Sequence, residues 1–426
     1  MIQYNLLLYI FLVLFLARLF CRLILTRINT SHLRRFGHQV PQAFEDTIEG
    51  ETLSKMTEYT IDSSRFGSLE TLFESLLLLV ILLSGFLPWL SHTILFLDYP
   101  FIISGLLFFF GLGAIGFLTG IPFNLYESFV IEKKYGFSTI TVKLWITDLI
   151  KSALISCILL GVLLGSLLAL IHHARETWWL FGWAVFASFQ LFIMWIYPIV
   201  IAPLFNKYEP LAKENLKDAI VSVMERAGLK TSGVFRVDAG KRSRHSNAYF
   251  TGIGKTKRIV LYDTLLESHS DDEIVSVLAH EIGHWKKGHI KKQLLLIEVL
   301  SFLLFYAVSR LLDWTYLYQT FGFESNIPYA GLFLLSAIFS PLAFFLKPIG
   351  AGISRRYERE ADDYSGYLLG TTVSLAGALK RLAKDNLANL HPHPFYAWFY
   401  YSHPPLTERI DHLLKIEKER PTREKG

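Results

Sequence analysis

Charged side chains are scarce in this chain. Only 19% of its 426 residues are charged, whereas 52% are hydrophobic. A soluble globular domain usually carries about a quarter of charged residues. The shortage argues against an ordinary soluble enzyme and predicts a protein that resides in a lipid bilayer.

The chain also has few cysteines and a small net charge. Cys21 and Cys157 are the only two cysteines and lie in apolar runs, so neither a disulfide framework nor a thiolate metal site is expected. The net charge is only +5, and no nucleic-acid partner is expected because the basic residues cluster in a few links. The first apolar run has no basic leader and no small-residue cleavage site, so we interpret it as a retained anchor.

Seven apolar runs are long enough to span a bilayer, which takes about 20 helical residues. The predicted spans are Leu6–Leu25, Leu72–Leu97, Phe101–Leu125, Leu149–Ile171, Trp179–Ile201, Gln293–Leu312 and Pro328–Lys347. Lys and Arg concentrate in every second link and in the C-terminal tail. Positive residues mark the cytoplasmic side, so the N-terminus is predicted outside and the C-terminus in the cytoplasm. The alternative is that the first or the last run is a buried core helix.

The largest hydrophilic block, Ala202–Lys292, contains three segments that alternate like β-strands and one amphipathic helix. The strands are predicted at Phe235–Gly240, Asn247–Ile253 and Arg258–Asp263, with GKTK as a hairpin turn between the last two. Ser270 followed by Glu273 is the pattern of a capping box at the start of the helix.

That helix contains the sequence HEIGH. His280 and His284 are four residues apart, so they lie about 40° apart on one helical face and can bind one zinc ion. Glu281 projects beside them and can take a proton from the attacking water. The alternative is a charged surface helix in which Glu281 pairs with Lys286 or Lys287.

A third ligand has to come from elsewhere in the chain. His289 is nine residues from His280, which turns it to about the opposite helical face. Glu358 and Asp362, just past the seventh span, share a face. One carboxylate can ligate zinc while the other fixes a ligand histidine. A solvated charged face is equally compatible, and spacing alone does not separate Glu358 from Glu360.

Taken together, HEIGHWKKGH and EREAD resemble the type I CAAX prenyl endopeptidases, integral-membrane zinc proteases of the gluzincin group. The resemblance extends over nearly the whole chain, in the same order as in that family. Its other matching segments are Phe123–Ser138, Ala202–Leu211, Gly240–Phe250, Lys257–Glu267 and Ser402–Ile410.

The resemblance implies a fold and a set of roles. The fold is a mainly α membrane protein, with seven transmembrane helices around a chamber. An α+β zinc protease domain, a small antiparallel sheet plus the HExxH helix, lies on the cytoplasmic side. The implied zinc ligands are His280, His284 and Glu358, and Glu281 is the general base. Asp362 supports the ligands or donates a proton. The residues implied to hold the substrate backbone or the oxyanion are Asn247, His403 and Arg409.

Four regions follow: five spans in 1–201, the strands and HExxH helix of the protease domain in 202–292, spans six and seven in 293–347, and the rest of the protease domain in 348–426. The resemblance implies one zinc ion per chain and a peptide or protein substrate that loses three C-terminal residues after prenylation. The oligomeric state and the cleavage preference stay open.

Two traits favour a bacterial cytoplasmic membrane over the endoplasmic reticulum of a eukaryote. The chain ends in TREKG without a lysine-based retrieval signal, and the outer link before the seventh span is short. In a bacterium, quality control of membrane proteins is an alternative function. An alternative of another class is a seven-helix transporter with a vestigial metal site.

Overall fold

Helices make up most of residues 1–251 and 256–419, the part of the chain that the computed structural model describes. The α-helices are α1 Leu6–Phe36, α2 Gly50–Leu83, α3 Phe86–Phe96, α4 Phe101–Tyr126, α5 Glu132–Lys134, α6 Val142–His173, α7 Trp178–Ile196, α8 Ala202–Phe205, α9 Glu214–Arg226, α10 Asp263–Ser268, α11 Asp271–Lys286, α12 His289–Leu311, α13 Thr315–Thr320, α14 Pro328–Leu369, α15 Val373–Asp385, α16 Pro394–Tyr400 and α17 Leu406–Glu419. Short π-helical segments at Glu127–Ile131 and Tyr197–Ile201 join α4 to α5 and α7 to α8.

Within the described residues, seven helical stretches are long and apolar enough to cross a membrane, which confirms the predicted number. They are Leu6–Phe36, Gly50–Leu83, Phe101–Lys134, Val142–His173, Trp178–Phe205, His289–Leu311 and Pro328–Leu369. Most extend beyond the predicted apolar runs, because a helix continues into polar sequence once its apolar part is fixed by packing.

The predicted second span, Leu72–Leu97, is wrong in its bounds. The long helix α2 begins at Gly50 and ends at Leu83, and a separate helix, α3, follows. Gly85 interrupts the run with a left-handed φ of 81°, a conformation that other residues adopt only at a steric cost. Hydropathy alone does not detect such a break, because both sides of Gly85 are apolar.

The membrane helices form a closed ring of neighbours. Helix α1 packs on α2, α3 links α2 to α4, and α4, α6, α7 and α12 follow in turn, while α14 contacts both α12 and α1. An apolar core fills one end of the ring, with Phe11, Leu82, Phe108, Leu168 and Tyr329 among its members. Of the described residues, none in the most apolar window of α7 or α12 is buried.

The seventh span runs on without interruption into the polar part of the protein. Its prediction ended at Lys347, but α14 continues to Leu369 and carries Glu358 and Asp362 on its extension. Because a helix rises 1.5 Å per residue, Glu358 lies about 16 Å along the axis beyond Lys347. One continuous helix therefore carries these carboxylates beyond the predicted apolar run.

The small sheet is mixed, so the predicted antiparallel sheet is wrong in part. Its strands are β1 Tyr208–Pro210, β2 Lys230–Val237, β3 Ala248–Thr251 and β4 Thr256–Tyr262. Their order is β1-β2-β4-β3, with β2 parallel to β4 and the other two pairs antiparallel.

The order of the strands follows from their burial. The residues of β4 from Ile259 to Leu261 are fully buried, so this strand takes the centre of the sheet and leaves the shorter β3 at an edge. Alternation along a strand reports its two faces but not the direction of its neighbours. Part of the predicted GKTK turn lies outside the described residues, which exclude 252–255.

Helix α11 begins as its sequence predicts. The Ser270 side chain accepts a hydrogen bond from the Glu273 backbone N–H at 3.3 Å, and the Glu273 carboxylate accepts one from the Ser270 backbone N–H at 2.8 Å. The capping box is thus confirmed. It fixes the start of the helix that carries His280 and His284.

Candidate metal centre

The candidate site forms where α11 crosses the extension of α14. A Cβ atom on Gly283 would lie 2.9 Å from the Cα atom of Ala361, so glycine is required for this close approach of the two backbones. Next to it, the buried Ser365 hydroxyl donates a hydrogen bond to the Ser276 carbonyl at 3.1 Å. These small residues bring the histidines of α11 against the carboxylates of α14.

Three donor atoms converge across this crossing. The Nε2 atoms of His280 and His284 are 3.1 Å apart. The Glu358 carboxylate lies 3.4 Å from Nε2 of His280 and 3.3 Å from Nε2 of His284. Among the described residues, these three form the only group of histidine, cysteine and carboxylate donors that could hold a metal ion.

The donor set fits zinc. Zn–N and Zn–O bonds of about 2.0–2.2 Å place the corners of a tetrahedron about 3.3–3.6 Å apart, close to the separations observed. Glu358 is 4% exposed, and its Oε2 atom is buried without a hydrogen-bond partner among the described residues. Nε2 of His280 and Nη1 of Arg409 lie 3.4 and 3.7 Å from this oxygen, too far for a good hydrogen bond, and a metal ion held by the three donors would satisfy it.

Asp362 lies behind His280. Its Oδ1 is 2.7 Å from Nδ1 of His280, and its two oxygens accept hydrogen bonds from Nε and Nη2 of Arg409 at 2.9 and 2.6 Å. Burial alone would lower the pKa of Arg409, but the Asp362 carboxylate raises that pKa above its ordinary value. Burial would likewise lower the pKa of His280, yet Asp362 and Glu358 raise it to about 9.

A cavity of about 340 Å³ opens beside the three donors. Glu281, Asn247 and His403 line it together with His280 and Glu358. Nε2 of His403 lies 3.2 Å from the Glu358 carboxylate, and Asn247 immediately precedes the edge strand β3.

The structure therefore brings every predicted site residue to one place. Its geometry also weighs against the charged-surface alternatives. No ion pair joins Glu281 to Lys286 or Lys287 in the described part of the chain, and Glu358 is buried rather than solvated. Glu360, which spacing could not separate from Glu358, instead contacts Arg356 and His289.

Sequence reasoning missed His289. Its Nδ1 atom lies 3.0 Å from Nδ1 of His284, although an uninterrupted helix would carry it to the opposite face. The available signal was Gly288, a common residue after the end of a helix. Helix α11 ends at Lys286, Gly288 has a left-handed φ of 69°, and α12 begins at His289.

A membrane ring joined to a two-histidine, one-carboxylate centre with an adjacent glutamate defines a membrane-embedded metalloprotease. The comparisons agree. Residues 29–207 match the model of the CAAX prenyl protease N-terminal region with five membrane helices. Residues 210–417 match the model of peptidase family M48.

Relatives match over nearly the full length. The CAAX prenyl protease 1 homolog of Oryza sativa subsp. japonica is 34% identical, over 94% of this chain and 97% of that protein. CAAX prenyl protease 1 of Saccharomyces cerevisiae is 33% identical, over 90% of each chain. The crystal structure of S. mikatae Ste24p superposes with a TM-score of 0.90 at 33% identity, covering 96% of this chain and 100% of that one.

The chain belongs to peptidase family M48, in the group of membrane proteins named CAAX prenyl protease 1. It is a multi-pass membrane protein and a zinc metallopeptidase that acts on peptides or proteins. Membership of this family does not favour a transporter with a vestigial metal site.

Proposed function

We propose that this protease removes the C-terminal residues of prenylated CAAX proteins, with one zinc ion bound by His280, His284 and Glu358. One observation carries the proposal: the donors of these residues converge in a cavity on the direct continuation of a membrane-spanning helix. A lipid-anchored substrate is held at the bilayer, and Glu358 lies on the same helix that spans it.

The chemistry is peptide hydrolysis. Held by His280, His284 and Glu358, a zinc ion would polarise the scissile carbonyl and lower the pKa of the attacking water. Glu281 takes the proton from that water as its oxygen bonds to the carbonyl carbon. It then passes the proton to the leaving amide nitrogen as the carbon–nitrogen bond breaks.

Asp362 and Arg409 support the ligands. Asp362, whose Oδ1 lies 2.7 Å from Nδ1 of His280, would accept a hydrogen bond from Nδ1–H and so leave Nε2 free to bind the metal. Arg409 donates hydrogen bonds from Nε and Nη2 to Asp362, and its Nη1 atom lies 3.7 Å from Glu358. His403, with 58% of its side chain exposed, is the better placed donor to the oxyanion of the substrate.

The substrate backbone has a matching partner in the sheet. The strand β3 pairs with β4 on one side only and is an edge of the sheet, so an extended peptide can add to it as a further strand. Asn247, at its start, positions this peptide. Apolar residues line the other part of the cavity and suit the aliphatic side chains of a CAAX sequence; they are Leu265, Val277, Leu375, Leu379 and Leu382.

The decisive experiment compares a farnesylated CAAX peptide with its unprenylated twin. The purified protein should release the C-terminal tripeptide from the farnesylated peptide, detected by mass spectrometry, and the twin should be cleaved much less efficiently. Equal cleavage of both peptides would refute the prenyl specificity but leave the protease intact.

Two variants test the roles in the site. Glu281→Gln should retain zinc but lose about 10²–10⁴-fold in hydrolysis rate, because the base is removed. Glu358→Ala should lose stoichiometric zinc, whereas Asp363→Ala, on the exposed face of the same helix, should keep it. Full activity of the first variant, or full zinc content of the second, would contradict the assignment.

The same proposal includes the orientation given by the charged links, with the N-terminus outside and the C-terminus in the cytoplasm. The short outer link before α14 favours a bacterial cytoplasmic membrane over the endoplasmic reticulum. Single cysteines placed in the links of a Cys21→Ser, Cys157→Ser protein should react with an impermeant maleimide only on the predicted outer side.

A further inference from the structure

His289 is buried behind the candidate metal centre, on the side away from Asp362. The reversal of the chain at Gly288 brings its imidazole back towards α11, where the residue is 2% exposed. Its ring stacks on that of Tyr357 with centroids 4.2 Å apart and planes at 10°. The imidazole is thus held in one orientation.

Both nitrogens of this ring have a polar partner. Nδ1 lies 3.0 Å from Nδ1 of His284, and Nε2 lies 3.1 Å from the Glu360 carboxylate. The second oxygen of Glu360 accepts a hydrogen bond from Nε of Arg356 at 3.0 Å. A chain of four side chains therefore leads from the candidate ligand His284 to the protein surface.

Metal ligation would fix the direction of these hydrogen bonds. A neutral imidazole that offers Nε2 to a metal carries its proton on Nδ1, so Nδ1 of His284 donates to Nδ1 of His289. His289 then carries its own proton on Nε2 and donates it to Glu360. Every nitrogen and oxygen in the chain has a compatible role, and no extra proton is needed.

We propose that His289 and Glu360 are positioning residues that orient His284 and thereby set the affinity of the centre for zinc. Asp362 does the same for His280 by direct contact. Each ligand histidine thus has its own carboxylate, and His284 reaches its carboxylate through a second imidazole. The inference rests on the proposed function, because it takes His284 to be a ligand.

Its test separates hydrogen bonding from packing. His289→Phe keeps a ring that can stack on Tyr357 but removes both hydrogen bonds. Glu360→Ala removes the acceptor while His289 stays in place. Asp363→Ala removes an exposed carboxylate of the same helix, paired only with His412 in the described structure, and is the matched control.

The zinc dissociation constant of each full-length variant is measured by competition with a chromophoric chelator, and the metal-free proteins are compared by thermal unfolding. His289→Phe and Glu360→Ala should each raise the constant about 10–100-fold, with the control unchanged. Their double variant should be no weaker than His289→Phe alone, because both residues act through one chain of contacts. Cobalt-substituted His289→Phe should show an altered ligand-field spectrum, which a purely structural role would not produce.

Wild-type zinc affinity in both single variants would overturn the inference. So would an equal loss in the Asp363→Ala control, or a loss that only follows a lower unfolding temperature of the metal-free protein. His284→Ala and Glu358→Ala serve as the reference. If these two also keep zinc, the ligand assignment itself fails; if they lose zinc and His289→Phe does not, only the positioning role fails.

Discussion

The contact between Gly283 and Ala361 sets the distance between the two helices of the metal centre. A Cβ atom at position 283 would lie 2.9 Å from the Cα atom and 3.0 Å from the carbonyl oxygen of Ala361. Both are backbone atoms, so no side chain can rotate away. Gly283→Ala should therefore push α11 and α14 apart by several tenths of an ångström.

The magnitude follows from two opposing terms. Alanine inside a helix is favoured over glycine by about 0.5–1 kcal/mol, whereas overpacking a tight contact costs about 1–3 kcal/mol. The free energy of unfolding should fall by up to about 2.5 kcal/mol. Zinc affinity should fall as well, because the histidines and Glu358 lie on opposite sides of the crossing.

Gly350→Ala is the matched control. Gly350 lies inside α14, and a Cβ atom there would have no neighbour within 4 Å. In this variant the free energy of unfolding should therefore rise only by the helical preference for alanine over glycine. The difference between the two variants isolates the overpacking term of about 1–3 kcal/mol. Equal unfolding free energies and equal zinc dissociation constants in the two proteins would refute this account of the crossing.

Three further outcomes are expected. Asp362→Asn should destabilise the protein by up to about 3–5 kcal/mol and weaken zinc binding, since it removes the carboxylate that pairs closely with the buried Arg409 and leaves only Glu358, 3.7 Å away; an unchanged thermal midpoint would contradict this. The carboxylates raise the pKa of His280 to about 9, so the metal-free protein gains stability from the proton on His280 below about pH 6.5 and loses it as the pH rises through 9. The pH dependence of zinc affinity has the opposite sign, because zinc competes with the proton on His280. The affinity should rise about tenfold per pH unit up to about pH 9. Zinc affinities that stay constant from pH 6.5 to 9 would exclude this competition. His245→Ala should lower kcat/KM but leave zinc affinity unchanged. His245 stacks on Phe137 at 3.9 Å and hydrogen-bonds Asn386 at 3.0 Å, and so holds the segment next to Asn247 in place. Reduced zinc content would show that the role of His245 lies elsewhere.

The number of membrane spans was predictable from the sequence because a bilayer imposes a length and an apolar composition on every helix that crosses it. The helical face shared by His280 and His284 was predictable for a similar reason, since helical periodicity is a local property. The capping box at Ser270 also depends only on residues three apart. Each of these features depends only on residues that are close together in the sequence.

The remaining features depend on contacts between distant segments. The burial of Ile259 to Leu261 places β4 between β2 and β3, which the alternation along each strand does not reveal. The choice between Glu358 and Glu360 is made by the packing of α14 on α11. The turn at Gly288 is local, but the contact of His289 with Glu360 depends on the packing of α14 against α11 and α12.

The sequence alone thus determined the membrane helices and the residue types of the metal centre, because length, polarity and helical spacing are local. Only the tertiary structure decided which carboxylate meets the histidines and which side chains support them. Those outcomes depend on how closely two helices approach, and that distance is set by Gly283 and Ala361, which are far apart in the chain.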